Sequence, residues 1–240
     1  MGQLARLESP SFLVKAVQKW FVQTYRLNME EAEKPLEDYK SLDALFTRRL
    51  KPGSRPLGSD FFLHPADSQI REVGKIENFT LIQAKKFHYS LSEFIGNHER
   101  SAHYEGGCYL VYYLCPTDYH RVHSPVEGVI KDIKRLGLDL WPVHDQSVQE
   151  IPQLFLRNER VVVSISTQLG PLELVMVGAT NVGSIEILKS KGDFVQKGED
   201  LGVFHMGSTV VMVYSKSMKI PIEKIPLAPV QVGQNLFSGI

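Results

Sequence analysis

Apolar side chains near the N-terminus recur at intervals of three and four residues. Between Ser11 and Tyr25 the apolar positions are Leu13, Val14, Val17, Trp20, Phe21 and Tyr25, and the polar positions between them include Lys15, Gln18, Lys19 and Gln23. This spacing places apolar residues on one face of an α-helix, so we predict an amphipathic helix over residues 11–25. Such a helix packs either on its own domain or on a membrane surface, and the pattern alone favours the first arrangement.

Two shorter helices are predicted after this one. The first covers the acidic segment from Met29 to Lys34 and ends there, because the residue before Pro35 disfavours helix. The second covers residues 42–50 and leads into a segment, residues 47–56, that holds four basic side chains and no acidic one. That segment is either a solvated basic loop or a contact for anionic headgroups.

From about Phe61 the pattern changes to short runs of β-branched and aromatic residues separated by glycine. The clearest runs are Tyr109 to Leu114, Val161 to Ser166, Leu172 to Val177 and Thr209 to Tyr214, and they predict strands. Residues 183–202 indicate strands joined by tight glycine turns, as in lipoyl-type and biotinyl-type domains. We therefore predict an α+β fold. A helical segment over residues 1–58 precedes a mainly antiparallel β domain over residues 59–240 with lipoyl-like (barrel-sandwich) turns.

Composition and charge narrow the functional classes. The chain has 240 residues, 27 basic and 27 acidic side chains, and 43% hydrophobic positions. A net charge of zero argues against a general polyanion binder, so we expect no nucleic-acid partner. No run approaches the roughly 18–20 apolar residues of a membrane-spanning helix, and the N-terminus lacks the pattern of a secretory signal. We expect a cytoplasmic chain in which Cys108 and Cys115 are buried thiols.

Four stretches carry side chains suited to chemistry. They are His64-Pro65-Ala66-Asp67-Ser68, Asp118-Tyr119-His120-Arg121-Val122-His123-Ser124-Pro125, Val177-Gly178-Ala179-Thr180-Asn181-Val182-Gly183-Ser184-Ile185 and Met206-Gly207-Ser208-Thr209-Val210. In order and spacing they resemble the motifs of the phosphatidylserine decarboxylases. The resemblance extends to the N-terminal segments 28–35, 39–41 and 46–50 and so covers most of the chain. A Gly-Ser-Thr triplet is common, but four ordered motifs with a matching helical start are specific.

The resemblance implies a carboxy-lyase that converts phosphatidylserine to phosphatidylethanolamine and CO2. It also implies a proenzyme that makes its own cofactor, because the Ser208 hydroxyl would attack the Gly207 carbonyl and form an ester. Elimination from Ser208 would then split the chain into a β chain (1–207) and an α chain (208–240) that begins with a pyruvoyl group. The serine amine of the lipid would form a Schiff base with this pyruvoyl group, which accepts the electrons left when CO2 departs. No metal is implied. The two cleavage chains would form a heterodimer, and a homo-oligomer stays open.

The resemblance assigns roles to four further side chains. A serine hydroxyl needs a base, and the base needs a group that orients it; His123 would be the base and Asp67 the orienting group. His120 lies three positions before His123, so in an extended segment their side chains point to opposite faces and their roles differ. His120 would serve the decarboxylation as proton donor to the carbanion, and Asp118 would support the histidine pair.

A lipid substrate changes the interpretation of the first helix. An enzyme without a spanning segment meets its substrate at the bilayer surface, so we now expect the helix over residues 11–25 to lie on the membrane. Lys15, Trp20 and Phe21 would contact the lipid, and the basic cluster Arg48 to Arg55 would face anionic headgroups. This predicts a peripheral protein on the cytoplasmic face of a bacterial cell membrane, with anionic phospholipid as its partner.

Two positions depart from the family pattern. Ser68 stands where we expect a glycine after Asp67, and His205-Met206 stands where we expect a Lys-Leu or similar pair before Gly207. Neither change removes a reacting group. The simplest interpretation of His205 is a partly exposed strand histidine.

Three other functions stay open. A zinc hydrolase could use His120, His123 and Asp67 as ligands, although His-Arg-Val-His is not the His-Glu-x-x-His helix of such enzymes. A carrier-type or binding module would place Lys197 at a hairpin turn, but the usual context of a modified lysine is absent and no cleavage would occur. A pyruvoyl decarboxylase of a soluble amino acid is the third, and the amphipathic N-terminus argues against it.

Overall fold

The computed structural model describes residues 2–83, 87–179, 185–205 and 208–237. Its α-helices are α1 (Gly2–Ala5), α2 (Ser11–Tyr25), α3 (Leu42–Phe46), α4 (Leu91–Ile95), α5 (His98–Ser101), α6 (Asp145–Glu150) and α7 (Leu154–Arg157), and short 3-10 helices cover Leu36–Asp38, Ala102–Tyr104, Lys216–Met218 and Ile222–Lys224. The strands are β1 (Ser68–Lys75), β2 (Thr80–Gln83), β3 (Phe87–Ser90), β4 (Cys108–Leu114), β5 (Arg121–His123), β6 (Gly128–Leu136), β7 (Arg160–Thr167), β8 (Gly170–Gly178), β9 (Ile185–Ile187), β10 (Phe194–Val195), β11 (Asp200–Phe204), β12 (Ser208–Tyr214) and β13 (Pro229–Val230). The predicted α+β class is confirmed.

The first predicted helix has the bounds of α2, but the next two predictions need correction. The segment over residues 29–34 consists of bends and one β-bridge, between Ala32 and Leu50, rather than a helix, and α3 ends at Phe46 rather than at residue 50. Both differences have one cause, because the two segments pair with each other. The N–H of Glu33 donates to the carbonyl of Arg49 at 2.9 Å, and the N–H of Lys51 donates to the carbonyl of Glu31 at 2.8 Å. Tertiary pairing therefore overrides local helix preference here.

The β region is built on an antiparallel sheet. Within the described residues it has eight strands in the order β10-β6-β7-β8-β12-β4-β1-β13, and β5, β11 and β9 form a smaller sheet. Strand β12 lies near the middle, hydrogen-bonded to β8 on one side and to β4 on the other. Val210 and Met212 face the core between the two sheets, whereas Val211 and Val213 face a second core that includes residues of α4 and α7. Because both faces are buried, β12 is apolar from Val210 to Val213 rather than alternating.

Helix α2 packs on α3 through a third, smaller core. Phe21 is only 4% exposed and lies 6.3 Å from the ring of Phe46, so the expected membrane contact of Phe21 is corrected: its side chain belongs to the buried face. On the same face Gln18 donates to the carbonyls of Tyr39 and Ser41 at 2.8 and 2.9 Å. The opposite face of α2 is exposed.

Candidate active site

The predicted cleavage pair lies at the beginning of the central strand. Ser208 is the first residue of β12, and its backbone stands opposite Leu114 of β4 and Gly178 of β8. Opposed residues of antiparallel strands have Cα atoms about 4.5–5.5 Å apart. Gly207 and the side chain of Ser208 lie outside the described residues, as does the 180–184 segment of the third motif. The place of Ser208 in the fold is therefore given by the backbone of β12, between β4 and β8.

The second motif is brought to the same end of the sheet. Strand β4 ends at Leu114, opposite Ser208, and a turn follows in which the N–H of Asp118 donates to the carbonyl of Cys115 at 2.9 Å. The carbonyl of His120 then accepts from the N–H of Phe204, the last residue of β11, at 3.0 Å. Residues 115–120 thus begin beside Ser208 and end beside the segment that leads into it.

His120 is a fully buried, neutral base. Its ring lies 4.0 Å from the ring of Phe46, and its Nδ1 is 2.8 Å from the carbonyl oxygen of Asp118. Because a carbonyl only accepts, Nδ1 carries the proton and Nε2 carries the lone pair. Nε2 is buried and has no hydrogen-bond partner among the described residues. Burial lowers the pKa of His120 to about 3, so the imidazole is uncharged near neutral pH.

His123 has both of its nitrogens engaged. Nδ1 lies 2.8 Å from the carbonyl oxygen of Gly198, and Nε2 lies 3.1 Å from the hydroxyl of Tyr119. The carbonyl again requires the proton on Nδ1, so Nε2 accepts from the tyrosine. Sequence reasoning did not identify Tyr119 as a partner, although it belongs to the second motif.

The structure does not bring the side chains of Asp67 and His123 into hydrogen-bond contact. Both carboxylate oxygens of Asp67 accept from Nε of Arg55 at 3.0 Å, and Oδ2 accepts from Nη2 at 2.6 Å. Oδ1 also accepts from the N–H of Val232 at 2.9 Å. The expected orienting contact is therefore corrected. The two residues are joined through the backbone, because the N–H of His123 donates to the carbonyl of Pro65 at 2.8 Å.

Asp118 supports His120 through its backbone rather than its side chain. Its carbonyl accepts from the imidazole of His120, whereas its Oδ2 accepts from the N–H of Cys115 at 2.7 Å and so stabilises the preceding turn. Burial raises the pKa of Asp118 to about 6.

The described thiols of Cys108 and Cys115 are free, the first buried and the second half-buried.

The predicted basic cluster is divided between surface and interior, which corrects the expectation that it faces headgroups as a whole. The side chain of Arg49 is 56% exposed and lies 3.2 Å from Asp200, but Arg55 is bound to Asp67 and Arg48 is only 5% exposed. Nη2 of Arg48 lies 3.5 Å from the carbonyl of Thr117, whereas its Nε and Nη1 have no partner among the described residues. The burial of Arg48 escaped sequence reasoning. Only its position in the family-like segment 46–50 distinguishes it from other arginines.

The two departures from the family pattern have defined partners. The hydroxyl of Ser68 is buried and donates to the carbonyl of Ala66 at 3.2 Å. His205 directly follows β11; its Nδ1 lies 2.9 Å from Oδ2 of Asp43, and its Nε2 lies 3.3 Å from Oε2 of Glu186. The hydrogen bond with Asp43 is the main cause of a raised pKa of His205. The interpretation of His205 as a partly exposed strand histidine is therefore incomplete, since it ties α3 to β9.

A zinc site at the predicted ligands finds no geometric support. In the part of the chain that the structure describes, no three His, Cys, Asp or Glu side chains are grouped so that they could hold a metal ion. His120 and His123 direct Nδ1 to different carbonyls, and Asp67 is bound by Arg55.

Comparisons with known proteins show the family of this chain. The family model described as phosphatidylserine decarboxylase matches residues 42–238. A phosphatidylserine decarboxylase proenzyme of Shewanella baltica (strain OS155) is 39% identical over 90% of this chain and 82% of its own length. The corresponding proenzyme of Vibrio parahaemolyticus serotype O3:K6 is 38% identical over 90% of this chain and 84% of its own length. The chain therefore belongs to the phosphatidylserine decarboxylase family.

Proposed function

We propose that this chain is a proenzyme that matures into a carboxy-lyase acting on phosphatidylserine, with a pyruvoyl group formed from Ser208. One observation carries the proposal beyond the family match: the buried, uncharged His120 has an Nε2 without a partner among the described residues, and its backbone binds Phe204, which precedes Ser208 along the chain. The residues present fit a pyruvoyl group, because the substrate carbon must be protonated after CO2 leaves, and His120 would carry that proton. The products would be phosphatidylethanolamine and CO2.

Maturation begins with the Ser208 hydroxyl, which attacks the carbonyl carbon of Gly207. The peptide C–N bond breaks, an ester forms, and the freed amine takes the hydroxyl proton. Loss of the Ser208 α-proton then expels the Gly207 carboxylate, and water displaces ammonia to leave the pyruvoyl group. Because β12 lies between β8 and β4, chains 1–207 and 208–240 stay together as a heterodimer after the cut.

His123 is the proposed base for the cleavage. Its Nε2 carries a lone pair, and its ring is held by the Gly198 carbonyl and the Tyr119 hydroxyl. Asp67 is proposed as a positioning residue, since the loop that carries it accepts the His123 N–H through Pro65. The carboxylate of Asp67 holds that loop in place by binding the guanidinium of Arg55.

His120 is proposed to move the proton during decarboxylation. The pyruvoyl group supplies an electron sink for the charge left when CO2 departs. Because Nδ1–H is held by the Asp118 carbonyl, Nε2 has to take up a proton before it can donate one. The lipid amine is an ammonium ion in water and must lose a proton before it can act as a nucleophile, so it would supply that proton, and Nε2 would later return it to the substrate carbon. Burial lowers the pKa of His120 to about 3, which favours return of the proton over its retention.

The exposed face of α2 is proposed to contact the cytoplasmic leaflet of the membrane. Phe12, Leu13, Val17 and Trp20 on this face are 69%, 52%, 44% and 57% exposed, and Lys15 is exposed beside them. A neighbouring groove of about 290 Å³ is lined with apolar side chains of α1 and α2. Among the helices that the structure describes, none is long and apolar enough to cross a bilayer.

Intact mass measurement of the denatured protein tests the maturation proposal. The wild-type chain should give one piece that ends at residue 207 and one that begins at residue 208 with a carbonyl-reactive, blocked N-terminus. Ser208→Ala should give a single uncut chain that releases no CO2 from phosphatidylserine, because the nucleophile and the source of the pyruvoyl group are both removed. A Ser208→Ala chain that is still cut would refute the assignment.

Sedimentation with phosphatidylserine-containing vesicles tests the membrane proposal. Burial of a large apolar side chain contributes about 1.5–3 kcal/mol, so Trp20→Glu should weaken vesicle binding by about tenfold or more. Leu138→Glu is the matched control, because Leu138 is 96% exposed but lies outside α2. Equal weakening by both variants, or by neither, would contradict the placement of this face.

A further inference from the structure

We propose that the guanidinium of Arg48 binds the phosphodiester of the lipid headgroup, an inference that rests on phosphatidylserine being the substrate. Arg48 follows α3 and is buried between the helical layer and the residues of the second motif. No other part of the mechanism described above uses it.

The donors of Arg48 are the first observation. Its guanidinium is 5% exposed, its Nη2 makes one long contact of 3.5 Å with the Thr117 carbonyl, and its Nε and Nη1 are buried without a partner in the described part of the chain. Buried polar atoms are nearly always hydrogen-bonded, and unbonded donors on a charged group are especially unfavourable. Nη1 and the second N–H of Nη2 form one edge of the guanidinium, and two donors on one edge match two oxygens of one anion.

The surroundings of Arg48 are the second observation. Asp67 and Asp118 lie close enough to interact with its charge, but neither accepts a hydrogen bond from it. Asp67 is held by Arg55 and the N–H of Val232, and Asp118 accepts from the N–H of Cys115. Both carboxylates are thus committed elsewhere, which leaves the edge formed by Nη1 and the second N–H of Nη2 for an anion that is not part of the described chain.

The headgroup has two anions, the carboxylate and the phosphodiester, and the chemistry of the reaction indicates which of them Arg48 binds. Decarboxylation removes the charge of the carboxylate, so a cation bound there would stabilise the substrate more than the transition state and slow the reaction. The phosphodiester keeps its charge from substrate to product. A cation bound to it contributes equally throughout and therefore strengthens binding without opposing the chemical step.

Steady-state kinetics on two lipids tests the proposal. The variants are Arg48→Gln and Arg48→Lys, with Arg157→Gln as the matched control because Arg157 is an exposed arginine of α7 outside the site. The substrates are phosphatidylserine and an O-alkylserine, which has the serine amine and carboxylate but no phosphate, in the same detergent micelles. For Arg48→Gln we expect kcat/KM on phosphatidylserine to fall about 10- to 100-fold, mainly through KM, with little change on O-alkylserine. Arg48→Lys should lie between, and Arg157→Gln should match the wild type.

Binding of glycerophosphoethanolamine, which has the phosphodiester but no carboxylate, gives a readout independent of turnover. Calorimetry on the uncut Ser208→Ala chain should show weaker binding when Arg48→Gln is added. An equal loss of kcat/KM on both lipids, unchanged binding, or loss of self-cleavage in both Arg48 variants would overturn the proposal. If the wild-type protein does not decarboxylate phosphatidylserine at all, the proposed function itself fails, whatever the variants do.

Discussion

Two buried polar clusters lie against the central sheet, and they differ in how completely their atoms are paired. The Glu173 network, comprising Glu173, Tyr104, Ser164 and Arg100, lies on the face that carries α4 and α5. Glu173 is fully buried there, and its carboxylate accepts from the hydroxyls of Tyr104 and Ser164 and lies 3.6 Å from Arg100. The His120 cluster, comprising Arg48, Asp118 and His120, lies at the end where β12 begins.

The difference indicates which cluster stabilises the fold and which performs chemistry. A buried polar group is unfavourable unless it is paired. Both carboxylate oxygens of Glu173 are paired, so that network needs no ligand. In the His120 cluster, Nε2 of His120 and two nitrogens of Arg48 are unpaired among the described residues. We infer that the fold tolerates this cost because substrate and proton transfer use those atoms.

The largest effect is expected at His120, and it tests whether the His120 cluster serves catalysis rather than stability. In His120→Gln the side chain no longer accepts and returns a proton, so decarboxylation should fall by about 10²- to 10⁴-fold. The free energy of unfolding should fall by only about 1–2 kcal/mol, because the Nδ1–H bond to the Asp118 carbonyl and the ring contact with Phe46 are lost but no hydrogen bond of Nε2 is. Single-turnover release of CO2 by the cleaved protein measures the first quantity, and urea unfolding measures the second. A variant that is strongly destabilised but fully active would reverse the roles of the two clusters.

The complementary prediction concerns Glu173. Glu173→Ala leaves the Tyr104 hydroxyl unpaired and the charge of Arg100 without this carboxylate, and removal of one partner from a buried charged network costs about 3 kcal/mol or more. The free energy of unfolding should fall by about that amount when measured in the uncut Ser208→Ala chain, which unfolds as one polypeptide. In the cleaved protein, kcat per folded molecule should stay within about twofold of the wild type, since variants outside the site lose stability rather than transition-state contacts. A tenfold loss of kcat at unchanged stability would place this network in the site.

The contrast also explains which features of the fold followed from sequence. The bounds of α2 and the runs of β4, β7, β8 and β12 were predictable, because helical period and β-branched composition are local properties. The segment over residues 29–34 was not, because its acidic residues favour a helix start while its backbone pairs with residues 49–51. A partner far along the chain decides such a case.

The same limit applies to the candidate site. The resemblance to the family proposed Asp67, His120, His123 and Ser208 as site residues, but it did not reveal the contacts of these residues. Arg55 takes the carboxylate that seemed available for His123, and the Gly198 carbonyl orients that histidine instead. Arginine in a basic run resembles a surface residue until packing buries it, as it buries Arg48. Position in the motif predicts membership of the site, and only the fold determines the partner.

The smallest expected effect is at His205. Its hydrogen bonding is intermediate between the fully paired Glu173 network and the partly unpaired His120 cluster. Both ring nitrogens face carboxylates, Asp43 at 2.9 Å and Glu186 at 3.3 Å, but the second carboxylate is largely exposed, and Arg6 lies 3.7 Å from Asp43. The hydrogen bond with Asp43 raises the pKa of His205 in the folded chain above its ordinary value. The protonated form therefore stabilises the fold at pH values below about 6.5, the unfolded pKa of histidine. This stabilisation is lost as the pH rises through the folded pKa.

Thermal unfolding of the uncut Ser208→Ala chain, with and without His205→Gln, measures this contribution between about pH 5 and pH 9. The wild-type histidine should raise the melting temperature by a few degrees at the acidic end, and the difference should shrink toward the alkaline end, since a charge-assisted hydrogen bond contributes about 1 kcal/mol at this partly exposed site. Asp43→Asn should remove most of the pH dependence and Glu186→Gln less of it, because Asp43 is the closer partner. A difference that grows with pH would mean that His205 is buried as the neutral form and belongs with His120.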